Sequence, residues 1–310
     1  MKRRTQILIA FLLVTLLTFG IAQGTPTVGL VMKSLGNEFF KQMEEGAVAH
    51  AQERGDVELV PLGIQSETDL GAQIELVENL IARNVDAIVI APADSRALVP
   101  ALARAVNQGI EVVNIDVKLD DDAMAQAGVD IPFVGPDNVA AAKMVGEKLA
   151  QTLGEGANVI LLEGLPGAAN AIQRAQGFTE AAEAGDLNLV ASQTANWETD
   201  QAFELVNNLL TVNSDVVGIM ASNDSMALGA VRAVASQGQS DQITIVGFDN
   251  LPAVQPLICD GTMLATLDQF GSQQAADGID VALGMIGGEE RSGWIKTEVK
   301  LITKEDLTCE

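Results

Sequence analysis

Tyrosine is absent, histidine occurs once, at His50, and nine phenylalanines and two tryptophans are the only aromatic residues in 310. A chain so poor in imidazole and phenol offers few side chains for proton transfer near neutral pH. Basic residues are also scarce: 18 Lys and Arg stand against 42 Asp and Glu, a formal charge of −24. Binding to nucleic acid depends on cations that neutralise phosphates, so this balance disfavours nucleic acid as a direct partner and otherwise speaks of solubility. Long apolar runs are missing apart from one, Ile7 to Phe19, too short to span a bilayer comfortably. That run follows Met1-Lys2-Arg3-Arg4 and precedes Gly20-Ile21-Ala22-Gln23, the order of charge, apolar core and small residues found in a secretory signal. We expect residues 1–22 to be a cleaved signal peptide and the mature chain to be extracytoplasmic or periplasmic; a retained N-terminal anchor is the alternative. Cleavage removes three basic residues and no acidic one, taking the charge to −27. Cysteine is limited to Cys259 and Cys309. In an oxidising compartment a lone pair tends to bridge, and the alternative is a small buried Cys259 with a frayed Cys309.

Motifs for chemistry are lacking as well. Gly154-Glu155-Gly156 is not followed by the Gly-Lys-Ser/Thr of a phosphate loop and reads as a turn. Asp120-Asp121-Asp122 has neither the alternating ligands nor the central glycine of a calcium loop and reads as a solvated loop. His50 falls in a predicted surface helix near Glu45 and Glu53, where a solvated side chain is expected. No catalytic residue, cofactor or metal is therefore expected.

What is present is a repeated α/β pattern. Short apolar runs at 28–32, 57–60, 87–90 and 112–115 recur at nearly the same intervals at 159–162, 187–190, 216–220 and 243–246. Between them, stretches such as 39–54, 70–83 and 226–237 carry apolar residues at helical spacing. Near-continuous apolar strands alternating with helices predict parallel sheets covered on both faces, and two copies predict two similar doubly wound lobes. Ligands of such sheets bind beyond the carboxyl ends of the strands. Lys33 and Asn37 follow the first strand, Asp116 the fourth, and Asn223-Asp224 and Asp249 follow strands of the second half. Two facing rims would form a cleft. A sugar presents hydroxyls that donate and accept, together with an apolar C–H face. Asp116, Asn223, Asp249, Arg174 and Gln269 can supply the polar forks, and Phe39, Phe40 and Trp197 the aromatic plates. The bland alternatives are a loop carboxylate that caps a helix or is solvated for the aspartates, core packing for one Phe, a surface-packed aromatic for Trp197, and a structural ion pair for Arg174.

The stretches Lys33-Ser-Leu-Gly-Asn-Glu-Phe-Phe40, Val113-Asn-Ile-Asp116, Arg174-Ala-Gln-Gly-Phe178, Ser222-Asn-Asp-Ser-Met-Ala-Leu-Gly229 and Val246-Gly-Phe-Asp249 resemble those of periplasmic sugar-binding proteins of ABC transporters, in the ribose- and allose-binding group. The resemblance covers essentially the whole mature chain. It implies a type I periplasmic binding fold with a three-segment hinge near Pro136, Gln269 to Phe270 and Glu298 to Val299. The N-terminal lobe would be 25–136 plus 270–298, and the C-terminal lobe 137–269 plus 299–310. It also implies ligand contacts at Lys33, Asn37, Phe39, Phe40, Asp116, Arg174, Trp197, Asn223, Asp249 and Gln269, no cofactor, and a monomer that hands a monosaccharide to an ABC transporter permease. Ribose-binding members follow the first-lobe aspartate with arginine, where this chain has Val117 and Lys118; allose-like members have lysine at the place of Lys33. A hexose such as allose or glucose is therefore favoured, with a pentose such as ribose as the alternative. An asparagine of the allose pattern is missing near Ala168, while Asn170 lies two residues on. Competing roles are a sugar-responsive regulator, a ligand carrier for a chemoreceptor, and an enzyme acting on a sugar through carboxylates alone.

Overall fold

The computed structural model describes residues 24–309; the expected signal, 1–22, lies outside them. The strands are β1 (Thr27–Met32), β2 (Glu58–Gly63), β3 (Ala87–Ile90), β4 (Glu111–Ile115), β5 (Phe133–Gly135), β6 (Asn158–Glu163), β7 (Asn188–Thr194), β8 (Val216–Ala221), β9 (Thr244–Val246), β10 (Thr266–Asp268), β11 (Trp294–Lys296) and β12 (Lys300–Ile302). The helices are α1 (Glu38–Arg54), α2 (Leu70–Ala82), α3 (Val99–Asn107), α4 (Asp121–Ala127), α5 (Asn138–Leu153), α6 (Ala169–Ala184), α7 (Thr199–Val212), α8 (Asp224–Ser236), α9 (Gln255–Asp260) and α10 (Gly271–Ile286).

Apolar side chains on both faces drive the sheets together. β1, β3 and β4 are almost wholly buried, as strands between two helical layers must be. The first sheet has the order β2-β1-β3-β4-β5-β11, all parallel, and the second β7-β6-β8-β9. A parallel bridge from Val246 to Ala265 leads on from β9 towards the antiparallel pair β10-β12. Both sheets thus run second, first, third, fourth strand, the doubly wound order in which the winding reverses beside the first strand. Separate apolar clusters lie on the two sides of each sheet.

The chain passes between the sheets three times: from β5 to α5, which packs on α6, β9 and β10; from β10 to α10, which packs on α1, β3 and β4; and from β11 to β12. Two side chains are shared across the gap. Val117, after β4, is buried in the cluster around β6 and β8, and Leu251, after β9, is buried with Phe39 and Phe40.

Two expectations about the surface need correction. Asp120 is a helix cap whose Oδ1 accepts from the Ala123 amide, and Asp121 and Asp122 form the first turn of α4, where carboxylates favour the positive end of the helix. His50 is paired with a partner 230 residues away: its Nε2 is 2.8 Å from Asp280 on α10, a contact that a local reading around Glu45 and Glu53 does not reach.

Cys259, on α9, is bonded to Cys309 with 5.4 Å between the Cα atoms, closing a loop across 50 residues of sequence and fastening the C-terminal tail. Cross-links over loops of this length stabilise by about 2–4 kcal/mol. Urea unfolding with and without reductant should show a loss of that size; identical midpoints would mean that the tail is held by its other contacts alone.

Candidate functional site

The carboxyl ends of the two sheets face each other, and the turns that follow them enclose a small cavity. Lys33, Asn37, Phe39, Phe40 and Asp116 line it from the first sheet's side, and Arg174, Trp197, Asn223, Asp249 and Gln269 from the other side and the crossing after β10. All ten sequence-derived candidates are thus at one cavity. Glu67 and Asn170 line it too. Glu67 comes after β2, a position to which the strand-end rule also points, and Asn170 is in the first turn of α6.

The backbone at these turns is unusual. Asp116, Trp197 and Asp249 have φ values of 62°, 68° and 124°, in the region that favours glycine, although each carries a large side chain. Such residues cost on the order of 1–3 kcal/mol each and persist where the surroundings hold them. Here Asp116 N donates to Val134 O at 3.2 Å and Asp249 N to Leu267 O at 2.7 Å, so the neighbouring strand fixes each turn. Trp197 is seated over Gly164, where any Cβ would collide with the indole ring.

Each polar group has a definite role. Asn37 and Asn223, rather than the aspartates, are the helix caps: Asn37 Oδ1 accepts from Phe39 N at 3.0 Å and Asn223 Oδ1 from Met226 N at 2.8 Å. Arg174 donates from Nε to Asn138 at 2.8 Å and from Nη1 to Ser222 O at 3.0 Å. Its guanidinium carbon lies 3.7 Å from the centre of the Phe248 ring, and Nη1 is 3.5 Å from Asp249. Gln269 donates to the same Asp249 oxygen at 2.7 Å and is itself held through its carbonyl by Gln274 at 2.6 Å. Arg174 is therefore both a structural ion pair and a wall of the cavity. Phe39 and Phe40 meet edge to face at 5.1 Å, each in the core and each on the cavity.

Across from Arg174, Lys33 Nζ is 3.1 Å from Glu67 and 3.8 Å from Asp116, with all three side chains at most 8 % exposed. Neither Asp116 oxygen has a hydrogen-bond donor, nor does Asn170 Oδ1 have one, among the described residues. Burial pushes the Asp116, Glu67 and Asp249 carboxyls up; Lys33 opposes this for the first two and Arg174 for the third. Burial likewise pulls Arg174 down against the nearby carboxylates, Asp249 foremost. Buried acceptors without donors cost about 1–3 kcal/mol each, more when charged. The chemistry that satisfies this cavity is a compact neutral molecule carrying several hydroxyl donors and an apolar face for the rings.

Behind the cavity, Asp224 accepts from the Thr266 hydroxyl at 2.7 Å and the Leu251 amide at 2.9 Å. Burial raises its pKa from 3.8 to about 6 despite those bonds. A carboxyl raised in the folded state contributes stability that is full below about pH 4 and lost as pH rises through about 6. Relative to wild type, Asp224→Asn should gain on the order of 3 kcal/mol between pH 4 and pH 7 in urea unfolding. Relief of the neighbouring Asp249 acts in the same direction. A difference that is flat with pH would show that Asp224 is not buried as a charge.

Comparison with known proteins identifies the family. The family model for the periplasmic binding protein domain matches residues 28–290. The D-ribose/D-allose-binding protein of Pseudomonas aeruginosa is 45 % identical over 283 residues, covering 90 % of this chain and 89 % of that one. The ribose import binding protein of Escherichia coli is 34 % identical over 284 residues, covering 92 % and 93 %. Among solved structures, an ABC transporter periplasmic solute binding protein from Actinobacillus succinogenes with bound D-allose superimposes with a TM-score of 0.87 at 38 % identity, covering 91 % of this chain and 98 % of that one.

Proposed function

The chain belongs to the periplasmic binding protein family, and we propose that it is an extracytoplasmic receptor that closes on a monosaccharide and delivers it, chemically unchanged, to an ABC transporter permease. The observation that carries this reading is the Asp116 carboxylate, without a hydrogen-bond donor among the described residues, facing the Arg174–Asp249 pair across a small cavity walled by Phe39, Phe40 and Trp197. Ring hydroxyls supply donors to both carboxylates and acceptors to Arg174 and Lys33, and the C–H face lies against the aromatic rings. Asn37, Asn170, Asn223 and Gln269 complete the hydroxyl partners. Contacts from both lobes make the closed form the one with higher sugar affinity, and closure is what the permease reads. The receptor acts as a monomer, and presentation of the loaded form to a chemoreceptor is a compatible second use of the same surface.

For the cargo, we favour D-allose. Val117 stands where the ribose-type pattern has arginine, and its side chain is fully buried among apolar residues, so no guanidinium reaches the cavity from that position. Lys33 and Glu67 occupy the first-lobe wall instead. The likeness to relatives named for ribose and allose supports both candidates, so D-ribose is the competitor.

Protein stripped of ligand by unfolding and refolding should bind D-allose in titration calorimetry more tightly than D-ribose or D-glucose and return it unaltered after prolonged incubation. Asp116→Ala and Asp249→Ala should each weaken binding by on the order of 3 kcal/mol, about a hundredfold in Kd, because hydroxyls lose charged acceptors. Near-wild-type affinity in both variants would displace the site. Affinity for another solute class and none for sugars would overturn the cargo while leaving the fold.

A further inference from the structure

Helix α6 carries Asn170 and Arg174 into the cavity, yet it has no cap of its own. Its N-cap residue is Ala168, in the extended conformation of a capping residue (φ −88°, ψ 125°) but with no side-chain acceptor. The first amides of a helix have no partner within it, and a buried start needs one from elsewhere. Here it comes from the opposite lobe. Ser95, in the turn between β3 and α3, accepts from the Ala169 amide through Oγ at 2.9 Å and donates its own amide to Gly167 O at 3.3 Å.

The turn that carries Ser95 is held by its own hydrogen bonds. Asp94 Oδ1 accepts from the amides of Arg96 and Ala97 at 2.8 and 2.7 Å, and Ser95 O accepts from Asp120 N at 2.9 Å. Ser95 is 5 % exposed. On the other side, Gly167 has φ 99°, and a Cβ there would lie 2.8 Å from Asp94 Oδ2, so the close approach requires glycine.

We propose that Ser95 is a latch across the cleft: it supplies the N-cap of α6 only when the lobes are together, and through that cap it sets the first turn of α6 so that Asn170 and Arg174 are presented to the ligand. Ser95 is a positioning residue, since it does not line the cavity. Closing the lobes and finishing the helix are then one event, and opening them leaves the Ala169 amide to water. The proposal rests on the closing-receptor reading above.

The test compares wild type, Ser95→Ala, Ala168→Ser and the double variant, with D-allose and D-ribose as probes in calorimetry and stopped flow. Loss of a helix cap predicts a roughly three- to thirtyfold rise in Kd for Ser95→Ala. The change should lie in the dissociation rate, because the latch forms after encounter, and the unfolding midpoint of the sugar-free protein should stay within a degree or so. Ala168→Ser places an acceptor at the N-cap from within the same lobe, so in that background Ser95→Ala should lose most of its effect. Unchanged affinity and dissociation in Ser95→Ala, or an equal loss with and without Ala168→Ser, would overturn the latch. If the wild type binds neither sugar, the cargo reading fails, and the latch is judged by amide exchange at Ala169 with the lobes brought together by whichever of D-glucose, D-galactose and L-arabinose binds: faster exchange in Ser95→Ala than in wild type sustains it, and equal exchange rejects it.

Discussion

Lys33 lies between Glu67 and Asp116 on one wall of the cavity, and Arg174 lies against Asp249 on the other, with every one of these side chains nearly out of water. Burying charge is tolerable only when it is paired and its remaining lone pairs and protons are bonded. Around Arg174 the protein meets that condition itself: Asn138, the Ser222 carbonyl and the Phe248 ring hold the guanidinium, and Gln269 holds Asp249. Around Asp116 the nearest cation, Lys33, stands 3.8 Å away, and neither oxygen has a hydrogen-bond donor among the described residues. The asymmetry gives one wall a preformed, rigid character and leaves the other dependent on what lies between them.

The fold makes this arrangement available through the ends of its strands. Parallel strands all point their carboxyl ends the same way, so the turns after β1, β4, β8 and β9 bring Lys33, Asp116, Asn223 and Asp249 to one rim or the other without long excursions. Asp116 and Asp249 leave their strands with positive φ, which swings the side chain out of the strand direction and into the cleft. The backbone strain is local, and each turn is fixed by a main-chain bond to an adjacent strand. Asn37 and Asn223 serve twice, as helix caps and as cavity wall, which ties the position of an amide group to the start of a helix and removes the freedom of a loop side chain.

Eight of the twelve strands were legible because their apolar runs are four residues or longer and recur at matching intervals. The four that were not, β5, β10, β11 and β12, are as short as β9 but fall outside the repeated interval that marks it; they are strands by virtue of the neighbour they pair with, which no local pattern records. The ten candidate residues stood out as polar and aromatic side chains beyond strand ends in a chain with few aromatics, reinforced by the resemblance. Glu67 is not legible, because a glutamate among Ser66, Thr68 and Asp69 looks like an ordinary solvated turn; only the approach of Lys33 reveals it as buried. Asn170 is legible only as a displaced match to the allose pattern, and Ser95 carries no local signal, since its partner is 74 residues away on the other lobe. The pairing of His50 with Asp280 was hidden for the same reason. What the sequence withholds is consistently the long-range polar partner.

These partners bear on how two lobes can be both closed and able to open. Val117 and Leu251 are buried among the side chains of the facing lobe, and Ser95 contributes two hydrogen bonds across the gap. Each such contact is worth on the order of 1 kcal/mol net of what water offers in its place. Set against them is the unsatisfied Asp116 carboxylate, which closing removes from water at a cost of comparable or larger size. Protein contacts alone therefore leave the closed form near balance with the open one. A molecule that donates hydroxyls to Asp116 removes the main opposing cost and adds bonds to both walls at once, so its affinity is concentrated in one of the two states. A difference of about 5.5 kcal/mol between the two forms is enough to carry the equilibrium from almost fully open to almost fully closed. Two carboxylates, each accepting charge-assisted bonds, fall in that range. On this argument the Asp116 carboxylate, which no donor among the described residues satisfies, is what makes closure report the ligand.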